Sequence, residues 1–348
     1  MPGCAHPWLA GLLGDAEVEG LIGPDADLAA MLAFETALAG AEAAAGVIPA
    51  DAGAAIAAEL AGFRPDMGAL AAATARDGVV VPELVRQLRA AVGEPHAAHL
   101  HFGATSQDVI DTSLVLRLKA ALPVLAARLD AVIAALDGLE ARFGDRRLMG
   151  RTRMQAAIPI TAGARIASWR GPLARQRVRL EALLPEVLVI QFGGAAGTLD
   201  TLGGKAGAVR AALAAALGLG DAPQWQSQRD RIAALAGWLA TTTGALGKLG
   251  QDVALMAQAG GEIVLAGGGS SSAMPHKANP VGAEVLVALA RFNAVQSGGM
   301  QQAMVHEQER SGAAWTLEWL LLPPMLIATG AALRRAGAVV ASIEAIGD

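Results

Sequence analysis

From Thr105 to about Arg142 the chain keeps apolar side chains at helical spacing, and a helix of that length is not stable alone in water. Helices in proteins draw most of their stability from packing an apolar face against a partner, so other long helices must lie beside it. Helical patterns indeed run through residues 25–46, 161–184 and about 227–260, and from 281 to the end. Composition agrees with this reading. Hydrophobic residues make up 53% of the 348, much of that alanine, while aromatics are 3% and tyrosine is absent. Alanine is the best helix former, and the pattern predicts an all-α, elongated bundle of long, closely packed helices.

The punctuation of the pattern is specific. Thr105-Ser106-Gln107-Asp108 matches a capping box, a hydroxyl residue followed three later by an acid. Asp25 is placed to cap the 25–46 helix and Gly46 to end it. Pro49 starts a short helix, and Pro82-Glu83 suit a first helical turn. Pro123 predicts a kink and Gly171-Pro172 an interruption. Residues 145–160 read as extended and loop-like, and 193–204 as a turn-rich connection. The irregular, polar stretch from Glu94 marks a boundary between an N-terminal helical domain, 1–104, and a central long-helix bundle domain, 105–348.

Several function classes are disfavoured. A net charge of -5 and a pI near 5.7 argue against a nucleic-acid partner, which needs a basic face. Cys4, the single cysteine, leaves no internal disulfide and no cysteine-based metal cluster. The first residues lack the charged-then-apolar order of a signal peptide. The most apolar run, 317–333, contains Glu318, Pro323 and Pro324, which suits a buried helix better than a membrane span. A cytoplasmic protein without a membrane partner is expected.

Three polar islands interrupt the apolar pattern: 101–108, 150–155 and 266–279. Thr105 and Ser106 open a long helix, where free N–H groups favour a carboxylate; a cap serving only its own helix has the same sequence. His96, His99 and His101 allow a metal site to be considered, but no cysteine or HExxH partner accompanies them. Arg151, Thr152, Arg153 and Gln155 offer guanidinium, hydroxyl and amide groups suited to a polycarboxylate, and equally suited to a solvated loop. In AGGGSSSAMPHKANP, 266–280, glycines and serines prevent a helix, and Lys277 and Asn279 can close over an anion. A plain linker has this composition too. A serine hydroxyl moves a proton only where loop amides and a cation stabilise its alkoxide. Helix ends distant in sequence can still converge, within one bundle or between subunits.

Together the islands resemble the fumarase/aspartase superfamily. SSAMPHKANP is similar to its signature S-S-x-M-P-x-K-x-N-P, GATSQD to its T-S-x-D region and GRTRMQ to its G-R-T-H-x-Q region. Gln251-Asp252 and Glu262 fall in its long central helix. The resemblance runs from about Asp25 to Ala332. It implies Ser271 as the catalytic proton carrier, with Thr105, Ser106, Arg151, Thr152, Arg153, Gln155, Lys277, Asn279, His101 and Arg310 around a small polycarboxylate substrate. It also implies no metal or cofactor, a mobile lid over 266–278, and a homotetramer whose active sites are shared between subunits. The chain stops near where the family's C-terminal helical domain begins, so that domain is expected to be truncated.

Family members add or eliminate a group next to a carboxylate. Where the leaving group is nitrogen or hydroxyl, the second island carries a histidine; this chain has Arg153. A carboxylate leaving group, with a pKa of about 4, needs no such acid. That departure, together with HFGATSQDVIDTS and HEQERSGAAWTLEWLLLP, resembles the bacterial lactone-forming cycloisomerase branch. It implies closure of 3-carboxy-cis,cis-muconate to 4-carboxymuconolactone. An adenylosuccinate-lyase-like enzyme and a non-catalytic helical scaffold are the alternatives.

Overall fold

A computed structural model describes residues 6–274 and 277–348. The chain begins with α1 (Pro7–Leu13), α2 (Ala16–Ile22), α3 (Pro24–Ala44), α4 (Ala50–Leu60), α5 (Met67–Asp77) and α6 (Val81–Val92). The body is built from α7 (Ser106–Phe143), α8 (Ala162–Val187), α10 (Asp230–Ala259), α11 (Val281–Gln302) and α12 (Gly312–Ala341), with the short α9 (Ala206–Leu217) before α10. The expected all-α fold is observed. Its few strands are peripheral: β1 (Arg147–Thr152) pairs antiparallel with β2 (Gln155–Thr161), and β3 (Ile263–Leu265) with β4 (Ile343–Ile346).

The long helices alternate in direction. At the start of α7, Asp111 meets Arg229 just before α10 and Trp315 in the first turn of α12. Thr112 meets Gln191, just after α8. At the far end of α7, Arg146 O accepts from Ala162 N–H at the start of α8, and Arg147 O accepts from Asp348 N–H beyond α12. These two sets of contacts define an upper and a lower end of the bundle. At 1.5 Å rise per residue, α7 separates them by about 57 Å.

Leucines on α7 (Leu122, Leu125, Leu129, Leu136), with Trp169, Leu173, Leu239, Leu246 and Leu249, form the main core. Each buried leucine contributes roughly 1.5–3 kcal/mol of apolar transfer energy. Small residues bring α10 and α11 close. A Cβ on Gly250 would lie 2.5 Å from Ala283 O, and one on Gly247 2.5 Å from the Ala290 Cβ. A second core joins the N-terminal helices (Phe34, Leu38, Ile56, Leu84, Leu88) to Ile190, Phe192 and Trp315.

Several local expectations are corrected. The helix α3 starts at Pro24 after an N-cap at Gly23, so Asp25 lies in its first turn; Gly46, at φ +67°, does follow its end. The helix α8 continues through Pro172, as α7 does through Pro123. Burial of Leu122, Leu125 and Leu173 on the same helices outweighs the ~3 kcal/mol a proline costs. Residues 145–160 form mainly a hairpin, and the chain leaves α12 for β4 rather than staying helical. By length and composition α12 is long and apolar enough to cross a membrane. Here it lies in the core, with Leu322, Met325, Leu326 and Leu333 buried.

The N-terminal core also encloses acid. Glu35 and Glu42 are seven residues apart on one face of α3 and are 2% and 0% exposed. Neither oxygen of Glu42 has a hydrogen-bond partner among the described residues. Burial, and then repulsion from Glu35, pushes its carboxyl up to about 8, so it stays protonated at neutral pH. The folded chain holds this proton above 4.5, where the unfolded chain has released it. Stability therefore falls as pH rises from about 4.5 to about 8. Glu42→Gln is expected to stabilise the protein at pH 8 by on the order of 2 kcal/mol or more, with the gain shrinking towards pH 5. Urea unfolding at the two pH values measures this; an equal gain at both would mean that Glu42 holds no proton.

Candidate active site

At the upper end the α7 N-terminus is fastened by Asp108, which is fully buried. Its carboxylate accepts from Thr105 N–H at 3.0 Å, Gln191 Nε2 at 3.0 Å, and the amides of Gly193 and Gly194 at 2.9 Å each. Burial lifts its pKa to about 6, with these donors acting in the opposite direction, so it is ionised at neutral pH. The capping box thus joins the 101–106 turn, the α7 start and the 190–194 loop. Gly194, at φ +66°, must be glycine, because a Cβ would lie 2.8 Å from Gly103 O. Thr105 and Ser106 are left half-buried at the helix end.

Gln107 links this end to the next chain crossing. Its Nε2 donates to Gln226 O at 2.8 Å and to Asp111 Oδ2 at 3.0 Å, and its Oε1 accepts from Arg310 Nε at 3.0 Å. Arg310 also donates to Ala195 O at 3.1 Å and remains exposed, beside the Thr105–Ser106 turn. His101 belongs to the same end, its Nδ1 2.6 Å from Glu35 Oε1. Behind them Arg229 is sandwiched between Asp111 (2.6 Å) and Glu318 (2.5 Å), with Trp315 Nε1 donating to Asp111 at 3.0 Å. Burial would lower the guanidinium pKa, but the two carboxylates raise it above its ordinary value.

The lower end holds the other two islands. Arg153 and Met154 form a two-residue hairpin turn, both at positive φ (+47° and +67°), the conformation such turns require and usually assign to Asn-Gly. Arg151 is ion-paired with Glu262, and Thr152 lies opposite Gln155 across the hairpin. All of residues 151–155 are exposed. Arg151, Arg153, Arg165, Lys248, Asp252 and Glu262 line much of a cavity of about 320 Å³. Lys248 pairs with Asp252, which also accepts from Trp169 Nε1 at 2.7 Å.

The Gly/Ser loop leaves β3 and is pinched at its base. Gly269 and Asn279 exchange both backbone hydrogen bonds, at 2.8 and 2.9 Å. Within the loop, Ser271 Oγ accepts from Met274 N–H at 3.1 Å and lies 3.4 Å from Ala273 N. Donors aimed at that oxygen favour its anionic form. Lys277 is exposed, its amide donating to Met274 O at 3.0 Å. Pro275 and His276 lie outside the described residues. His306, at the upper end, has its ring buried 3.8 Å from Glu318, beyond hydrogen-bond distance. Among the described residues no set of three His, Cys, Asp or Glu side chains is placed to hold a metal.

One chain therefore groups Thr105, Ser106, His101 and Arg310 at one end, and Arg151, Thr152, Arg153, Gln155, Ser271, Lys277 and Asn279 at the other. It does not unite all three islands. Sequence reasoning missed Asp111, Arg229, Glu318 and Trp315. Gln107, Asp108 and Asp111 carried a signal, being polar residues in the first turns of an otherwise apolar helix. Arg229 carried none.

A family model described as lyase matches residues 21–293, and the chain belongs to the fumarase/aspartase superfamily. The 3-carboxy-cis,cis-muconate cycloisomerase of Pseudomonas aeruginosa is 43% identical over 325 residues, 91% of this chain and 71% of that relative. The crystal structure of the 3-carboxy-cis,cis-muconate lactonizing enzyme of Pseudomonas putida superposes with a TM-score of 0.91 at 40% identity, over 97% of this chain and 76% of that one. The β-carboxy-cis,cis-muconate cycloisomerase of Acinetobacter calcoaceticus sp. ADP1 gives 0.89 at 34% identity, over 97% and 78%.

Arg229→Met is expected to destabilise the fold by about 3–5 kcal/mol, since it strands two buried carboxylates. Chemical denaturation of the variant against the parent checks this; a loss below about 1 kcal/mol would mean the carboxylates find other partners.

Proposed function

We propose that this chain is a 3-carboxy-cis,cis-muconate cycloisomerase, forming 4-carboxymuconolactone in the breakdown of aromatic acids. The observation that carries the reading is 43% identity across 91% of the chain to an enzyme of that name. The replacement of the second-island histidine by Arg153 supports it on chemical grounds. In the closing direction one substrate carboxylate oxygen adds to a carbon–carbon double bond. The electron pair moves towards a neighbouring carboxylate to give an aci-carboxylate, and a proton is added to its α-carbon. No atom is lost and no electrons leave the substrate, so the reading includes no cofactor.

In this reading Ser271 supplies the proton, and its alkoxide is stabilised by the Met274 and Ala273 amides. Lys277, Asn279 and the helix end at Thr105–Ser106 take the charge that develops on the aci-carboxylate. Arg151, Thr152, Arg153, Gln155, His101 and Arg310 hold the remaining carboxylates, and loop 266–278 closes as a lid. Residues 1–104 act as an N-terminal domain on a body formed by 105–348, and the enzyme works in the cytoplasm.

The separation of the two ends by about 57 Å supports a shared site. A small tricarboxylate cannot bridge that distance, so the upper end of one copy must meet the lower end of another. A homotetramer with composite sites meets this requirement, and separate monomers are expected to be inactive.

Purified protein should convert 3-carboxy-cis,cis-muconate, followed by ultraviolet absorbance, and leave adenylosuccinate unchanged. The reverse result would identify the adenylosuccinate-lyase-like alternative, and no change with either the scaffold. Ser271→Ala should lower kcat by about 10²–10⁴-fold; undiminished turnover would remove Ser271 from its role. For the shared site, Ser271→Ala and Ser106→Ala chains, each of low activity, are unfolded together and refolded. Mixed assemblies should regain activity that neither variant has alone, and a mixture no better than its parts would place the whole site in one chain.

A further inference from the structure

His101 is held from two sides in a conformation that side chains disfavour. Its φ of +62° lies in the left-handed region, where a non-glycine residue persists only if its surroundings impose it. Arg89 on α6 donates to the preceding carbonyl, Leu100 O, at 2.9 and 3.3 Å. On the other side the imidazole Nδ1 lies 2.6 Å from Glu35 Oε1, with the ring 14% and the carboxylate 1% exposed. The groups facing the ring are Glu35 on α3, Arg89 on α6 and Asp108 on α7. Glu42, next along α3, is held protonated at neutral pH by burial. Burial works against a charged His101 ring, but Glu35 and then Asp108 outweigh it and raise its pKa above the ordinary value.

We propose that Glu35 is a positioning residue of the active site, fixing the orientation of the His101 ring beside the Thr105–Ser106 helix end so that its protonated form meets a substrate carboxylate with an N–H of set direction. The inference rests on the proposed function, within which His101 binds substrate. Glu35 touches no substrate and acts through His101 alone. A preset donor avoids the cost of ordering a free histidine on binding, and the charge-assisted bond it makes is stronger than a neutral one.

The test uses the full chain in its native assembly. In Glu35→Gln the His101 ring, followed by NMR across pH, should lose its proton at lower pH than in the parent. KM for 3-carboxy-cis,cis-muconate at pH 7.5 should rise roughly tenfold with kcat within about twofold, and KM should begin to climb at lower pH. In a His101→Gln background the same change should add nothing. An unchanged KM and pH profile, even with a lower melting temperature, would overturn the proposal and leave Glu35 a structural residue. If Glu35→Gln does not fold, His101→Gln decides alone: an unchanged KM overturns the proposal. If the parent does not turn over 3-carboxy-cis,cis-muconate, the functional reading fails separately. Citrate binding by calorimetry then serves as the tricarboxylate probe. Affinity weakened about tenfold in Glu35→Gln upholds the positioning role, and equal or absent binding in parent and variant overturns it.

Discussion

One buried guanidinium sets the register of the upper end. Arg229 stands just before α10 and holds Asp111 of α7 on one side and Glu318 of α12 on the other, its charge 4.7 Å over the Trp225 ring. A buried ion group of this kind adds little net stability, because desolvation offsets much of the attraction. Its effect is on geometry. Sliding α12 by one helical turn, about 5.4 Å, would leave Glu318 buried and unpaired, whereas an apolar contact would only be traded for another. Gln107 bonds to Asp111 and also to Arg310, so the same constraint reaches the exposed guanidinium beside the helix end.

Helix length then determines what one chain can do. The upper end presents helix amides, an imidazole and Arg310, groups chemically suited to an anion. The lower end presents a hydroxyl on a pinched loop and a cationic hairpin, to which the proposed function assigns proton transfer and ligand orientation. Because α7, α8, α10, α11 and α12 are rods packed side by side, no internal bend brings these sets together. Association is therefore part of the proposed chemistry, and whatever weakens it should lower activity without touching a site residue.

The two ends hold their functional groups by different means. At the upper end buried carboxylates do the holding: Asp108 collects four donors, and Glu35 holds the His101 ring, while Arg89 ties down the preceding Leu100 carbonyl. At the lower end the backbone does most of the holding. Gly269 and Asn279 close the loop through main-chain bonds, and Ser271 Oγ is approached by main-chain amides. Among the described residues the main-chain pairing of Gly269 with Asn279 closes the loop at its base. In the proposed function this leaves the loop able to act as a lid, while buried Asp108 keeps the α7 start fixed.

Much was legible in the residues because the information was local or periodic. Apolar spacing identified the long helices, the Thr105–Asp108 pattern located the α7 start, and SSAMPHKANP pointed to the family and to Ser271. The prolines in α7 and α8 misled, since their local cost is small beside the burial of neighbouring leucines. The hairpin at 147–161 lacked the usual Asn-Gly signal, because Arg153 and Met154 adopt the turn conformation themselves. Arg229, Glu318 and Glu35 gave no sign of their partners, which lie far away in the chain: a charged residue in a sequence does not state whether its counter-charge is solvent or a buried side chain. The sequence by itself determined the long helices, the capping box that opens α7 and the types of reactive group. Only the tertiary structure decided which charges are buried together and that the islands sit at opposite ends, because both depend on how the helices stack and reverse direction.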